Sequence, residues 1–169
     1  MFATLMPSVY TSSVTFSKIM SNSKYESADL ILKLYEMRRE TVMREARGWF
    51  IREFNPENAG DLAAAARGPH SAHYRMVTSY WDMACSFVSN GAIDAQMFAD
   101  ANGEHNAVYA KIGPYVEDIR TMMQNPNYMK HLEQVVMAQP DAAERLARLR
   151  AMLKQLFSGD TSATKPAGE

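Results

Sequence analysis

Cysteine is almost absent from this 169-residue chain, which contains only Cys85. A single cysteine cannot form an intramolecular disulfide, so we expect a reducing compartment, and the cytoplasm is the simplest choice. An excess of one charge sign is also missing, because 18 basic residues face 19 acidic residues and the formal net charge is −1. This balance argues against bulk electrostatic attraction to nucleic acid or to an anionic membrane.

Long hydrophobic runs are missing as well. A transmembrane helix needs about 20 predominantly apolar residues, and no such stretch occurs. Residues 1–24 contain many hydroxyl side chains, and no basic segment precedes an unbroken apolar stretch, so a secretory signal fits poorly. We predict a flexible arm over 1–24, with Met20 as an alternative start of translation, and a disordered tail over 158–169.

Between these ends, residues 25–157 lack any segment in which apolar and polar residues alternate over many positions, so strands are not expected. Apolar residues recur every three or four positions instead, which is typical of amphipathic helices. We therefore predict an all-α domain over 25–157, an antiparallel bundle of about five to seven helices with a long first helix. The predicted helices lie near 27–54, 56–67, 70–90, 94–101, 104–124, 126–138 and 141–157.

Cap and breaker residues set these boundaries. Ser27 is a predicted N-cap of the first helix, and Asp94 is a predicted N-cap of the short fourth helix. Gly91 follows the third helix as its C′ residue. Gly113 and Pro114 lie inside a predicted helix, and we expect a kink or break there, because proline removes a hydrogen bond and clashes with the preceding turn.

Two of the helices carry especially regular apolar seams. Trp81 lies midway along the seam of 70–90, and we expect it to be a core residue. The leucine seam of 141–157 should pack mainly within its own bundle, because a helix of about 17 residues is too short to hold a dimer alone. The seams are Tyr74, Val77, Trp81, Ala84 and Val88 in the first helix, and Ala142, Leu146, Leu149, Leu153 and Leu156 in the second.

Four short runs carry a resemblance to known proteins. They are LYEMRRE (34–40), TSYW (78–81), NGEH (102–105) and PNYMKHLE (126–133). In these runs the chain resembles an uncharacterised bacterial family of small all-helical proteins, over residues about 25–157. The resemblance implies an all-helical fold, and it implies no activity.

Histidines provide the one candidate for metal chemistry. His70 and His73 lie three positions apart at the start of a predicted helix, and Glu104 and His105 begin another. Together these four residues offer nitrogen and oxygen ligands for a divalent metal, so a metal-dependent enzyme is the alternative function. Their spacing matches neither HExxH nor the repeated Glu-x-x-His of di-iron bundles. The simpler interpretation makes His73 and His105 structural histidines at the edges of apolar seams.

Catalytic signatures are otherwise missing from the sequence. It contains no GxSxG, Walker-type, GxGxxG, CxxC or paired-carboxylate motif. Cys85 lies on an apolar helix face, which favours an inert buried thiol, and the 13 methionines are interpreted as adaptable core filler. We assign no catalytic residue and no cofactor, and the ligand-binding residues stay unknown. The sequence favours a non-enzymatic protein that acts through protein–protein contacts, as a homodimer or with another protein, and not on nucleic acid or membranes.

Overall fold

The computed structural model describes residues 24–157, in which every regular element is helical, so the predicted all-α class is confirmed. None of the helices in this range has the length and apolar character needed to cross a membrane. The predicted tail and nearly all of the predicted arm lie outside the described residues. The helices are α1 (Lys24–Arg39), α2 (Thr41–Arg52), α3 (Ala59–Ala65), α4 (Ser71–Ser89), α5 (Ala95–Ala101), α6 (Glu104–Ile112), α7 (Val116–Met123), α8 (Lys130–Met137) and α9 (Ala142–Phe157).

The single long helix predicted over 27–54 is divided into α1 and α2, which meet at Glu40. The backbone of Glu40 leaves the helical region, with φ −49° and ψ 139°. A side chain from α2 stabilises the end of α1, because Nη1 of Arg47 donates to the carbonyl of Arg38 over 3.1 Å. The last carbonyls of a helix need such partners. The spacing of apolar residues does not reveal the contact between Arg47 and Arg38. The sequence pattern therefore predicts one continuous helix across the break at Glu40.

Two helix starts depend on side chains that are distant in sequence. In α4, Oδ1 of Asp82 accepts from the backbone N–H groups of His131 (3.0 Å) and Leu132 (2.9 Å), and so caps α8. Ser27, the predicted N-cap of the first helix, lies inside α1, where its hydroxyl accepts from the N–H of Asp94 over 3.0 Å. Asp94 does cap α5 as predicted, since its Oδ1 accepts from the backbone N–H of Met97 in the first turn over 2.9 Å.

Other predicted boundaries hold with small shifts. Gly91 follows α4 with φ 77°, the left-handed conformation that favours glycine at C′. The break expected at Gly113 and Pro114 is present, because a 3₁₀ turn (Gly113–Tyr115) separates α6 from α7. The second predicted helix is shortened to α3, whose capping box joins Asn58 and Asp61.

The centre of the core is α4, which packs against α2, α6 and α8. Its seam includes Val77, Trp81 and Ala84, each fully buried, so the predicted core position of Trp81 is confirmed. The Trp81 indole N–H donates to Oε1 of Glu104 over 3.3 Å, which ties α4 to the start of α6. The packing therefore places the largest buried side chain where three helices meet.

A buried lysine completes the end of α2. Lys111 of α6 is 2% exposed, and burial, followed by the charge of Arg150, lowers its pKa to about 8. Its ammonium group replaces the missing backbone donors at this helix end. The acceptors are the carbonyl oxygens of Phe50 (3.1 Å), Ile51 (2.7 Å) and Phe54 (2.6 Å), and Oδ1 of Asn55 (3.0 Å).

Candidate functional site

A cleft of about 690 Å³ opens between α3 and α4 on one side and α7 and the start of α8 on the other. Its volume lies within the range of roughly 300–1,000 Å³ that is usual for ligand pockets. We call it the methionine cleft. It is lined by Leu62, Ala63, Ala66, Arg67, Tyr74, Arg75, Thr78, Ser79, Ile119, Met122, Met123, Tyr128 and Met129.

Apolar side chains form the floor and the mouth of the methionine cleft. Leu62 and Ile119 are buried at its floor, whereas Met122 and Met123 at its edge are each 57% exposed. The two methionines end α7, because Gln124 adopts the left-handed conformation with φ 50° and stops the helix. The cleft therefore combines a fixed floor with a flexible, exposed apolar edge.

A pair of tyrosines supplies polar groups inside the cleft. The hydroxyl oxygens of Tyr74 and Tyr128 lie 2.6 Å apart and share a hydrogen bond. Burial raises the pKa of both phenols, so both are protonated at neutral pH. One of the two hydroxyl groups donates its hydrogen to the other oxygen, so the pair keeps a second hydrogen that it does not use itself.

Two arginines give the cleft a positive rim. Arg67 and Arg75 are exposed, and no aspartate or glutamate is among the described residues that line the cleft. Nε of Arg67 donates to the carbonyl of Ala63 over 3.1 Å, which holds the side chain along the end of α3. Within residues 24–157, neither arginine forms a salt bridge, in contrast to Arg47 and Arg120.

A second depression lies on the other side of α4. This α1–α4 groove has a volume of about 520 Å³, and its lining includes Met37, Val42 and Met83, which are 49%, 55% and 36% exposed. Ser79 lines both the groove and the methionine cleft. The exposed edge of α4 therefore separates two apolar depressions that belong to one surface.

The structure does not bring the four predicted metal ligands together. The ring of His70 stacks on Trp49, with centroids 4.7 Å apart. The centroids of the His70 and His73 rings are 5.7 Å apart. Glu104 instead binds Arg47, whose Nε donates to Oε1 over 2.6 Å. In the part of the chain that is described, no three His, Cys, Asp or Glu side chains are grouped so that they could hold a metal ion.

His105 occupies an apolar site inside the bundle. Its ring lies 5.8 Å from Trp81 and 5.2 Å from Phe98, and its residue is 0% exposed. Neither ring nitrogen has a hydrogen-bond partner among the residues described. Burial, followed by the positive charge of Arg145, lowers the pKa of His105 to about 4. The side chain is therefore neutral at physiological pH and packs as an aromatic core residue.

Cys85 is fully buried in α4, as expected for an inert thiol. Burial is the main cause that raises its pKa to about 12, and the charge of Asp82 acts in the same direction. A nucleophilic cysteine needs a thiolate near neutral pH. This environment disfavours the thiolate.

Comparison with known proteins identifies the family. Residues 25–138 match the model of a domain of unknown function, DUF4760. The chain belongs to the DUF4760 family. No curated protein and no solved structure matches it. The predicted membership of an uncharacterised family is thus confirmed, and the methionine cleft, lined by residues between 62 and 129, lies entirely within the matched region.

Sequence reasoning did not identify the methionine cleft. The sequence pattern predicts that its methionines fill the core, because a short pattern cannot show that α7 ends at an exposed edge. One signal was available: Arg67 and Arg75 have no acidic residue three or four positions away on either side. Arginines without such helical partners are free to bind groups outside their own helix.

Proposed function

We propose that this DUF4760 protein is non-enzymatic and acts through protein–protein contacts, with the methionine cleft as the docking site for an amphipathic helix of a partner protein. The composition of the cleft carries the proposal. Methionine, tyrosine and arginine are enriched at protein interfaces, whereas lysine, aspartate and glutamate are depleted. The cleft is lined by three methionines, two tyrosines and two arginines, with no lysine or acid among its described lining residues.

The shape of the surface supports a helical occupant. Leu62 and Ile119 form a buried floor that can accept apolar anchor residues, while Met122 and Met123 are unbranched and can adapt to different side chains. Because Ser79 lines both depressions, a helix in the cleft can extend its contacts along α4 into the α1–α4 groove. Apolar anchors in a groove are the usual means of helix recognition.

Other features support the non-enzymatic part of the proposal. Cys85 is buried with a raised pKa, and Glu104 is engaged by Arg47, so neither is placed as a catalytic group. The near-neutral charge of the chain disfavours nucleic acid. The single buried cysteine favours a cytoplasmic location. A second copy of the chain is the competing occupant of the cleft, as expected for a homodimer.

Binding of a synthetic amphipathic helix tests the proposal. The probe is a fluorescently labelled peptide with a leucine face and a glutamate-rich polar face, titrated with the full-length protein and followed by anisotropy. Met122→Gln with Met123→Gln should weaken binding about tenfold or more, a change of roughly 1.4 kcal/mol, because glutamine removes the apolar edge without changing charge. Met152→Gln is the matched control, since Met152 is 48% exposed on α9, away from the cleft.

Two outcomes would contradict this proposal. Failure of the unmodified protein to bind the peptide, or equal loss in the cleft and control variants, would show that the cleft does not dock helices. Sedimentation of the protein without peptide tests whether a second copy of the chain occupies the cleft. If the protein is a dimer and the cleft variant is a monomer, the cleft serves self-association instead.

A further inference from the structure

We infer that the partner helix is acidic, with carboxylates beside its apolar face that bind Arg67 and Arg75. This inference rests on the proposed function, because it names the chemistry of the helix that the methionine cleft receives. It depends on a separate observation, the charge and hydrogen-bonding capacity of the cleft rim. The apolar floor accepts any helix with a suitable apolar face, and the charge of the rim determines which of those helices binds more tightly.

Two acids on the helices that form the cleft accept hydrogen bonds from backbone N–H groups at helix starts. Asp82 of α4 accepts through Oδ1 from the backbone N–H groups of His131 and Leu132 at the start of α8. Asp61, one residue before the cleft-lining Leu62, accepts through Oδ2 from the backbone N–H groups of Glu57 (2.8 Å) and Asn58 (3.2 Å). Within residues 24–157, neither carboxylate forms a salt bridge with Arg67 or Arg75.

The polar groups that the cleft offers to a ligand are mainly donors. The guanidinium groups of Arg67 and Arg75 each carry several N–H donors, and the tyrosine pair keeps one O–H donor. The Thr78 hydroxyl donates within its own helix, to the backbone carbonyl of Tyr74 over 2.8 Å. A rim of donors is complementary to acceptors, and carboxylates bind arginine most strongly, through paired hydrogen bonds.

The ends of this chain do not fit the same rim. Residues 1–23 contain apolar side chains but no acid, and their one charged side chain is that of Lys18. The segment 158–169 contains Asp160 and Glu169 but has no apolar periodicity with which to fill the floor. Charge complementarity together with apolar anchoring therefore disfavours both ends of this chain as the occupant and favours a separate acidic helix.

Two peptides with the same leucine face test the inference, one with a glutamate-rich and one with a lysine-rich polar face. Against the full-length protein, the glutamate peptide should bind about tenfold or more tightly than the lysine peptide, and added salt should reduce the difference. Arg67→Glu with Arg75→Glu should reverse the preference. Arg44→Glu with Arg52→Glu is the matched control, since these α2 arginines are exposed and form no salt bridge within the described range.

The outcomes separate this inference from the proposed function. Equal binding of the two peptides, unchanged by reversal of Arg67 and Arg75, would overturn the acidic partner while docking in the cleft remains. Binding of neither peptide would overturn both. Dodecanoate, an apolar chain with one carboxylate, is the third probe: tighter binding of dodecanoate than of the glutamate peptide would assign the cleft to a lipid and contradict the inference.

Discussion

Helices α4 and α9 have the same apolar spacing but different surroundings. The first four seam residues of α4, from Tyr74 to Ala84, are at most 3% exposed. In α9 the seam residues Ala142 and Leu153 are buried at 6%, whereas Leu156 is 61% exposed. A seam of apolar residues thus defines the face of a helix that can be buried, and the number of neighbouring helices decides how much of it is buried.

The neighbours of the two helices explain the difference. Helices α2, α6 and α8 surround α4, whereas α9 lies at the end of the described chain and packs chiefly on α6. A polar contact from Arg150 also holds α9, because Nη2 of Arg150 donates to the carbonyl of Pro56 over 2.9 Å. Helix α9 further lies beyond residue 138, where the match to the DUF4760 family ends. We therefore expect substitutions in α4 to cost more stability than comparable substitutions in α9.

Truncation of Trp81 tests the central position of α4 and has the largest expected effect. Trp81→Ala should lower the free energy of unfolding by about 3–5 kcal/mol, because it removes a fully buried aromatic side chain and leaves a cavity. Urea denaturation followed by circular dichroism measures the loss. A variant as stable as the parent would show that α4 is not the centre of the core.

A matched pair of leucines tests the uneven burial of α9. Leu153→Ala should cost about 2–3 kcal/mol, at the lower end of the range for buried leucine, since Leu153 packs on one side of a peripheral helix. Leu156→Ala should change stability by less than about 0.5 kcal/mol, because Leu156 is mostly exposed. Equal losses at the two positions, measured by urea denaturation, would mean that another surface covers Leu156 in solution.

The same contrast shows what the sequence could predict. The helical class, the caps at Asp94 and Gly91, and the break at Gly113 all depend on local chemistry that a short segment contains. At the break at Glu40, the end of α1 is bound by Arg47 of the next helix, and the cap of α8 depends on Asp82, far away in the chain. Such contacts between distant residues leave no periodic signal.

The candidate site was harder to predict for the same reason. The methionine cleft exists because α3, α4 and α7 leave a space between them, and that space depends on tertiary packing. The prediction of four metal ligands rests on residue type, yet Glu104 is bound to Arg47, and His105 lies against Trp81 and Phe98. Residue type suggests metal binding, whereas the contacts that each side chain makes in the fold determine whether it is available to bind a metal.

The stability of the α4–α6 contact should depend on pH through His105. Its folded pKa of about 4 lies below the ordinary value of 6.5, so the unfolded chain takes up the proton first as the pH falls. The stabilisation is therefore complete above pH 6.5 and is lost as the pH falls towards 4. We expect a loss of about 1.5 kcal/mol between roughly pH 6.5 and pH 5 from this group.

His105→Leu isolates the contribution of the imidazole. Leucine fills the apolar site and does not titrate, so urea denaturation of the variant should show a weaker loss of stability over the same pH interval. Because neither imidazole nitrogen has a partner in the described structure, the variant should fold without leaving a new buried polar group. An identical pH dependence in parent and variant would assign the acid sensitivity to other residues.

Ion pairs beside the two helices provide the smallest expected effect. The Arg148–Glu144 pair on α9 has side chains that are 64% and 72% exposed, whereas those of Arg47 and Glu104, next to Trp81 of α4, are 22% and 17% exposed. Water and salt screen exposed pairs, so a double-mutant cycle with alanine should give a coupling of about 0.3–0.5 kcal/mol for Arg148–Glu144, and it should vanish in concentrated salt.

The coupling between Arg47 and Glu104 should exceed this value by about 1 kcal/mol and should persist in salt, because two hydrogen bonds join the groups in a partly buried site. Urea denaturation of each single and double variant supplies the four free energies of the cycle. A coupling for Arg148–Glu144 that persists in concentrated salt and equals that of Arg47–Glu104 would mean that the exposed surface of α9 is covered in solution. A coupling for Arg47–Glu104 that vanishes in salt would mean that its partial burial does not protect it from screening.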